Sequence, residues 1–291
     1  MWTNDRYINE TPADGEWARI YCAHGPSAPQ VLHARFICHE FSRHVHEEYV
    51  IGLVETGVQR FEIGRVERFT PAGSIFLINP GEAHTGAPAC PGGYVYRTAY
   101  PQAELMRQAA HDAWSGKGAI PQFTSAVVND AQLSALLSAY HGSVAGGATA
   151  LEQETRLRAA IHVAVARHSQ PWLTRTADGG PRLAERARAL IDARFVENIS
   201  LSDLAEACRA SPFHLARTFR RHLGLAPHTY QTSLRVARAR ALIDAGEPLA
   251  MAAFAAGFAD QSHLNRLFKR LMGVTPGQYA RARGARTFKT A

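Results

Sequence analysis

The chain has 291 residues, 46% apolar and 20% charged, a balance that suits globular domains and excludes extensive disorder. Its net charge of +7 is unevenly placed: from Arg182 onward 18 Lys and Arg stand against 8 Asp and Glu, and before it 14 stand against 17. The C-terminal third therefore carries the basic footprint of a nucleic-acid-binding domain, and the longest apolar run, Leu249–Ala259, is far too short to span a bilayer. Two domains are the natural expectation for this length.

Cys22, Cys38, Cys90 and Cys208 are widely separated and form no CxxC, which predicts reduced, mostly buried thiols. The first residues lack a basic stretch followed by an apolar run, so no signal peptide is expected. A soluble, cytoplasmic protein without a membrane partner is the expectation.

Residues 1–113 read as an all-β domain. Strands are expected over Val31–Cys38, Tyr49–Glu55, Gln59–Ile63, Ser74–Ile78 and Tyr94–Ala99, punctuated by Gly57, Gly64, Pro71-Ala72-Gly73 and Asn79-Pro80-Gly81. Many short strands with Gly/Pro turns predict a sandwich or barrel, whose mouth is a common place for a small-molecule pocket. His44 and His46, two apart, point to one face of a strand, and the Asn-Pro-Gly turn leads to His84.

This HxH, Gly57 and Gly81-x-x-His84 layout resembles the cupin barrel and its two metal motifs. The resemblance puts Val50, which cannot ligate, where the first motif has Glu, while Glu48 shares the parity of the two histidines. Two readings stay open. Either His44, His46 and His84, with or without Glu48, hold Zn, Ni or Fe, or they line a neutral pocket and hydrogen-bond an organic effector. Tyr94 and Tyr96 share a strand face and join the effector candidates; Arg97 takes the other face, as a carboxylate clamp, a surface residue or a paired residue at the core edge. His24, His33, His39 and His111 carry no spacing signal and are expected at the surface or boundary.

From Gln102 the period becomes helical, and residues 114–169 are read as a helical cover or dimerisation region. Leu133, Leu136, Leu137 and Tyr140 form one stripe, and Leu157, Ile161, Ala164, Val165 and His168 another. These stripes are expected to cover the barrel or to meet the same helix in a second subunit. Residues 170–181, with Pro171, Asp178-Gly179-Gly180 and Pro181, look like a linker.

Residues 182–291 are read as all-α. Leu183, Ala187, Leu190, Ile191 and Phe195 make the buried side of a first helix, and Ser200 caps a short one with Leu201, Leu204 and Ala205 inward. A fifteen-residue stretch then occurs twice, 49 positions apart: FHLARTFRRHLGLAP at 213–227 and SHLNRLFKRLMGVTP at 262–276. Each copy has apolar residues every fourth position, basic residues between them, and a Gly and a Pro as a stop.

Each copy follows a short helix and a turn, which makes two helix-turn-helix units joined by the stretch His228–Ala245, with Leu234, Ala237, Ala241 and Leu242 on one side. Leu215, Phe219 and Leu223, and then Leu264, Phe268 and Leu271, point inward. Phe213, His214, Ala216, Arg217, Arg220 and Arg221 of the first copy, and Gln261, Ser262, His263, Asn265, Arg266 and Lys269 of the second, are left for DNA. Arg forks onto guanine and Asn or Gln onto adenine, whereas Arg220, Arg221, Lys269 and Arg270 suit phosphates.

The stretch Leu201–Tyr230 with Pro248–Tyr279, and GFADQSHLNRLFKRLMGVTPGQY (Gly257–Tyr279) above all, resembles the tandem helix-turn-helix domain of AraC/XylS-type transcription regulators. The resemblance implies an N-terminal cupin-like effector domain, one reading helix in each of two successive major grooves, a homodimer, and promoter DNA and RNA polymerase as partners. The expected function is a sequence-specific, effector-controlled regulator and not an enzyme. A metal-sensing regulator using His44, His46 and His84, or a cupin metalloenzyme with a DNA-binding appendage, is the alternative.

Overall fold

The structure, a computed structural model, describes residues 15–23, 29–114, 120–171 and 179–284. The chain begins with β1 (Trp17–Cys22), β2 (Gln30–Phe36), β3 (Phe41–His44), β4 (Val50–Ile63), β5 (Val66–Pro71), β6 (Ile75–Ile78), β7 (His84–Pro88) and β8 (Tyr94–Tyr100). It continues through α1 (Ala103–Ala113), β9 (Pro121–Phe123), β10 (Val127–Val128), α2 (Ala131–Ala145), α3 (Ala150–His168) and β11 (Ser169–Pro171).

The main sheet runs β1-β2-β8-β4-β6-β10, while the far half of β4 takes β5 and β7, and β7 takes β3. The expected β domain is present, and among the described residues hydrogen bonds do not close its sheet into a complete barrel. Two expected strands, Tyr49–Glu55 and Gln59–Ile63, are one strand. Gly57 is not a turn; it sits inside β4 at φ +73° beside a register shift between Val54 and Thr56. A Cβ there would lie 2.0 Å from the Gly93 carbonyl oxygen, so the bend in β4 depends on that missing atom.

Period-two alternation divides the sheet between two cores. Val50 and Val54 of β4, Phe76 and Ile78 of β6, and Tyr94 and Tyr96 of β8 face inward. Ile51, Leu53, Ile75, Leu77 and Ala99 face outward and are covered by Leu105 and Met106 of α1, Leu133, Leu137 and Tyr140 of α2, and Leu157, Ile161 and Val165 of α3. The stripes of α2 and α3 are thus spent inside the chain. Asp130 caps α2 and also takes His168 at 2.9 Å and Arg167 at 3.1 Å, with its carboxyl held down to about 2 chiefly by the Leu133 backbone N–H.

On this covered face Glu55 accepts from His33 at 2.8 Å and pairs with Arg97 at 2.7 Å. Arg97 is therefore a paired residue at the core edge and not an effector clamp. His39 packs on Phe36 and Phe41, His111 is exposed, and His24 lies outside the described residues. Cys208 is buried, but Cys38 is exposed and Cys90 half-buried, contrary to the expected burial.

The helical part comprises α4 (Gly179–Arg194), α5 (Leu201–Ala207), α6 (Pro212–Leu223), α7 (Pro227–Asp244), α8 (Leu249–Ala255), α9 (Gln261–Met272) and α10 (Pro276–Gly284). Most of the proposed linker, 172–178, lies outside the described residues. Ser200 and Asp203 form a reciprocal capping box on α5, but Leu201, expected inward, is 39% exposed because the first turn projects beyond the core. Both long repeats end on a left-handed glycine, Gly224 at φ +78° and Gly273 at φ +76°. The prolines do more than stop a helix: Pro227 and Pro276 open α7 and α10, where a missing N–H costs nothing. Helix α7 buries Tyr230, Leu234, Val236, Ala239 and Ile243 on more than one side because both helix-turn-helix units pack against it; Ala241, expected inward, is exposed.

Among the described residues no helix is long and apolar enough to cross a membrane.

Candidate functional site

The inner face of the sheet lines a cavity of about 40 Å³, small beside the usual small-molecule site, so a larger occupant must push its walls apart. Its apolar wall includes Leu32, Phe41, Phe61 and Phe76; its polar wall includes Gln30, Thr98, Tyr100 and the three histidines. Its last wall comes from the other domain, through Leu271 and Met272 at the C-terminal end of α9.

His44 closes β3, and His84 opens β7 directly opposite it in register. His46 lies beyond the end of β3, so loop geometry rather than strand parity brings it alongside, with its Nε2 3.1 Å from that of His44. His44 Nδ1 lies 2.6 Å from the Ser42 carbonyl and His84 Nδ1 2.8 Å from the Glu82 carbonyl. A carbonyl only accepts, so both Nδ1 atoms carry the hydrogen. Burial pushes the His44 imidazole down to about 4 and holds His46 and His84 well below the usual range, the neighbouring histidines adding to it. Burial thus favours the neutral form of all three rings.

Glu48 is not with them. It forms an ion pair with Arg240 of α7, a link between the two domains with side chains only 15% and 16% exposed. Tyr96 lines the cavity as expected, whereas Tyr94 stacks behind it at 5.1 Å and does not. Thr98 and Tyr100, which extend the Tyr94–Tyr96 alternation by two more steps, were missed for want of that extension. Gln30 gave no signal beyond lying next to an expected strand. Gln30 Oε1 and Thr98 Oγ1 are buried and have no hydrogen-bond partner among the described residues.

The second region is the outer face of α6 and α9. Ser211 accepts from the His214 N–H at 3.3 Å and Asp260 from the His263 N–H at 2.7 Å, which starts each helix at a fixed residue. Leu215, Phe219, Leu264 and Phe268 are fully buried and set the rotation of the two helices. That rotation leaves Phe213, His214, Arg217, Arg220 and Arg221 exposed on α6, with the Arg217 guanidinium 5.6 Å above the Phe213 ring. On α9 it leaves Gln261, Ser262, Arg266, Lys269 and Arg270 exposed. Ala216 is half-buried. His263 is also half-buried, edge-on to Phe258, and Asn265 is half-buried with an enclosed Oδ1.

Comparison with known proteins agrees with both regions. Residues 29–161 match the AraC-like ligand binding domain and residues 204–282 a helix-turn-helix domain. The chain is 28% identical over 228 residues to the HTH-type transcriptional regulator YbfI of Bacillus subtilis, covering 78% of this chain and 82% of that one. It is also 28% identical over 160 residues to the HTH-type transcriptional regulator ArgR of Pseudomonas aeruginosa, over 54% and 47% of the two chains. The solved structure of ToxT from Vibrio cholerae with an unsaturated fatty acid bound shares the fold at a TM-score of 0.53 and 14% identity, over 93% of this chain and 96% of that one. The chain belongs to the AraC family of DNA-binding transcription regulators, with a ligand-binding domain before its helix-turn-helix domain, and is a regulator rather than an enzyme.

Proposed function

We propose that a small molecule in the cavity controls how α6 and α9 engage two successive major grooves of promoter DNA. One observation carries this: Leu271 and Met272 belong both to the second reading helix and to the cavity wall. An occupant that presses on this wall, or fills it better than the empty cavity does, shifts α9 relative to the sheet. Gln30 Oε1 and Thr98 Oγ1 lack partners in a mainly apolar cavity, which favours an effector with an apolar body and a hydrogen-bonding end. The fatty acid in ToxT is a molecule of that general build.

In this reading Arg217 and Arg266 fork onto guanine, Gln261 takes adenine, Asn265 takes adenine once its side chain turns the enclosed Oδ1 outward, and Arg220, Arg221, Lys269 and Arg270 hold phosphates. Phe213, His214, Ser262 and His263 complete the two reading surfaces. Ala216 stands where the second copy has Asn265, so the two half-sites differ. The homodimer that would place two chains on paired sites, with RNA polymerase as a further cytoplasmic partner, uses faces other than the spent stripes of α2 and α3.

Sites selected from a random duplex pool, followed by fluorescence anisotropy, test the reading. Arg217→Ala and Arg266→Ala are each expected to cost about 1–3 kcal/mol and to relax the preference at different half-sites. Unchanged affinity and specificity in both would overturn the assignment of reading helices. A metabolite that raises the Tm must also shift that affinity; stabilisation without such a shift sinks the control by the cavity.

A further inference from the structure

We propose that His44, His46 and His84 bind one divalent transition-metal ion, best suited to Zn2+, with a coordination position left open toward the effector cavity. The three rings offer donor atoms within 4.8 Å of one another, and two of those atoms already stand 3.1 Å apart. Nitrogens bound at about 2.0–2.1 Å to a tetrahedral zinc ion stand roughly 3.3 Å from each other, so small ring movements complete the set.

The hydrogen bonds around the cluster point the same way. Ser42 and Glu82 carbonyls fix the hydrogens of His44 and His84 on Nδ1 and leave both Nε2 lone pairs facing inward. Only His46 can supply an inward N–H, and it can satisfy one of those lone pairs at a time. A cation accepts all three lone pairs at once. A backbone carbonyl behind a histidine is also the outer-shell arrangement that orients metal-bound imidazoles.

The donor set departs from a closed site. Glu48 is held by Arg240, Val50 carries no donor, and no carboxylate joins the cluster among the described residues. Three nitrogens without a fourth protein donor make an ion that takes an outside ligand. That position faces the cavity near Tyr100, whose ring lies 5.4 Å from that of His46. A metal-coordinating effector, such as a carboxylate or hydroxamate, is the ligand class that follows; this last step rests on the effector reading, whereas the metal site does not.

Full-length protein stripped with a chelator and then titrated with Zn2+ against a chromophoric competitor tests the site. One ion per chain is expected, with Co2+ giving the visible bands of a low-coordinate nitrogen site, and both readouts lost in His84→Gln and in His46→Gln. The exposed His162→Gln variant keeps both. Circular dichroism identifies any variant that fails to fold, and the other then decides. Absence of stoichiometric Zn2+ binding by the folded parent, or binding retained in both variants, overturns the site. Acetohydroxamate should shift the Co2+ bands; no shift overturns the open position. Promoter affinity measured on the same samples keeps these outcomes separate from a failure of the DNA reading.

Discussion

The two helix-turn-helix units share a sequence but not a neighbourhood. At equivalent positions of the repeat, α6 has His222, which is exposed, and α9 has Leu271, which is buried in the cavity wall. Among the described residues, the first unit's core takes in only Val45 and Ala83 from the sheet domain. The second unit's core is continuous with Phe36, Tyr94 and Tyr96 on the inner face of the sheet. Both glycine stops abut the sheet domain, but on different surfaces: a Cβ on Gly273 would lie 3.0 Å from the Phe36 ring and 3.2 Å from the Phe41 ring, whereas one on Gly224 would lie 2.9 Å from the single Ala83 methyl. A duplicated reading element has become one helix that is seated on the effector domain and one that is lightly tethered.

The largest expected effects test where each unit is anchored. Phe268→Ala and Phe219→Ala both empty a fully buried ring site, and each should lose about 3–5 kcal/mol in urea unfolding. Hydrogen exchange should separate them: amides of β2 and β8 exchange faster in Phe268→Ala and are little changed in Phe219→Ala. Equal exchange would remove the distinction between the units. Glu48→Gln leaves Arg240 without its counter-charge between the domains, a loss of about 3 kcal/mol. It should also split the urea transition, with the helical domain melting apart from the sheet. The smallest pair sharpens the comparison: Asp260→Ala and Ser211→Ala each remove a helix cap worth about 1 kcal/mol. Asp260 should cost more, because its carboxylate sits 2.7 Å from the His263 N–H at the positive end of α9, against 3.3 Å for the neutral Ser211 hydroxyl.

The helical half was legible because its signals are local. A cap, an apolar residue every fourth position and a closing Gly determine a helix within fifteen residues, and Phe219 and Phe268 lie where that spacing puts them. In the sheet half, parity put Tyr94 and Tyr96 on one face and Arg97 on the other, but it could not say which face was inward or where a strand continues. Gly57 reads as a turn until Gly93 is known to cross it. Strands β3 and β7 are too short to show a period, although they carry His44 and His84. Glu48 illustrates the remaining limit: its partner Arg240 is 192 residues away, and nothing near either residue reveals the pairing.

On the proposed function, Leu271 serves two surfaces with different duties, and this restricts how the protein can change its effector. A substitution there that welcomes a bulkier effector also reseats the helix that touches DNA, so one trait cannot be tuned without disturbing the other. Gln30, Thr98 and Tyr100 line the same cavity from strands that no DNA-reading element includes. New effector preferences can therefore be acquired on that wall, residue by residue, while the old promoters are kept.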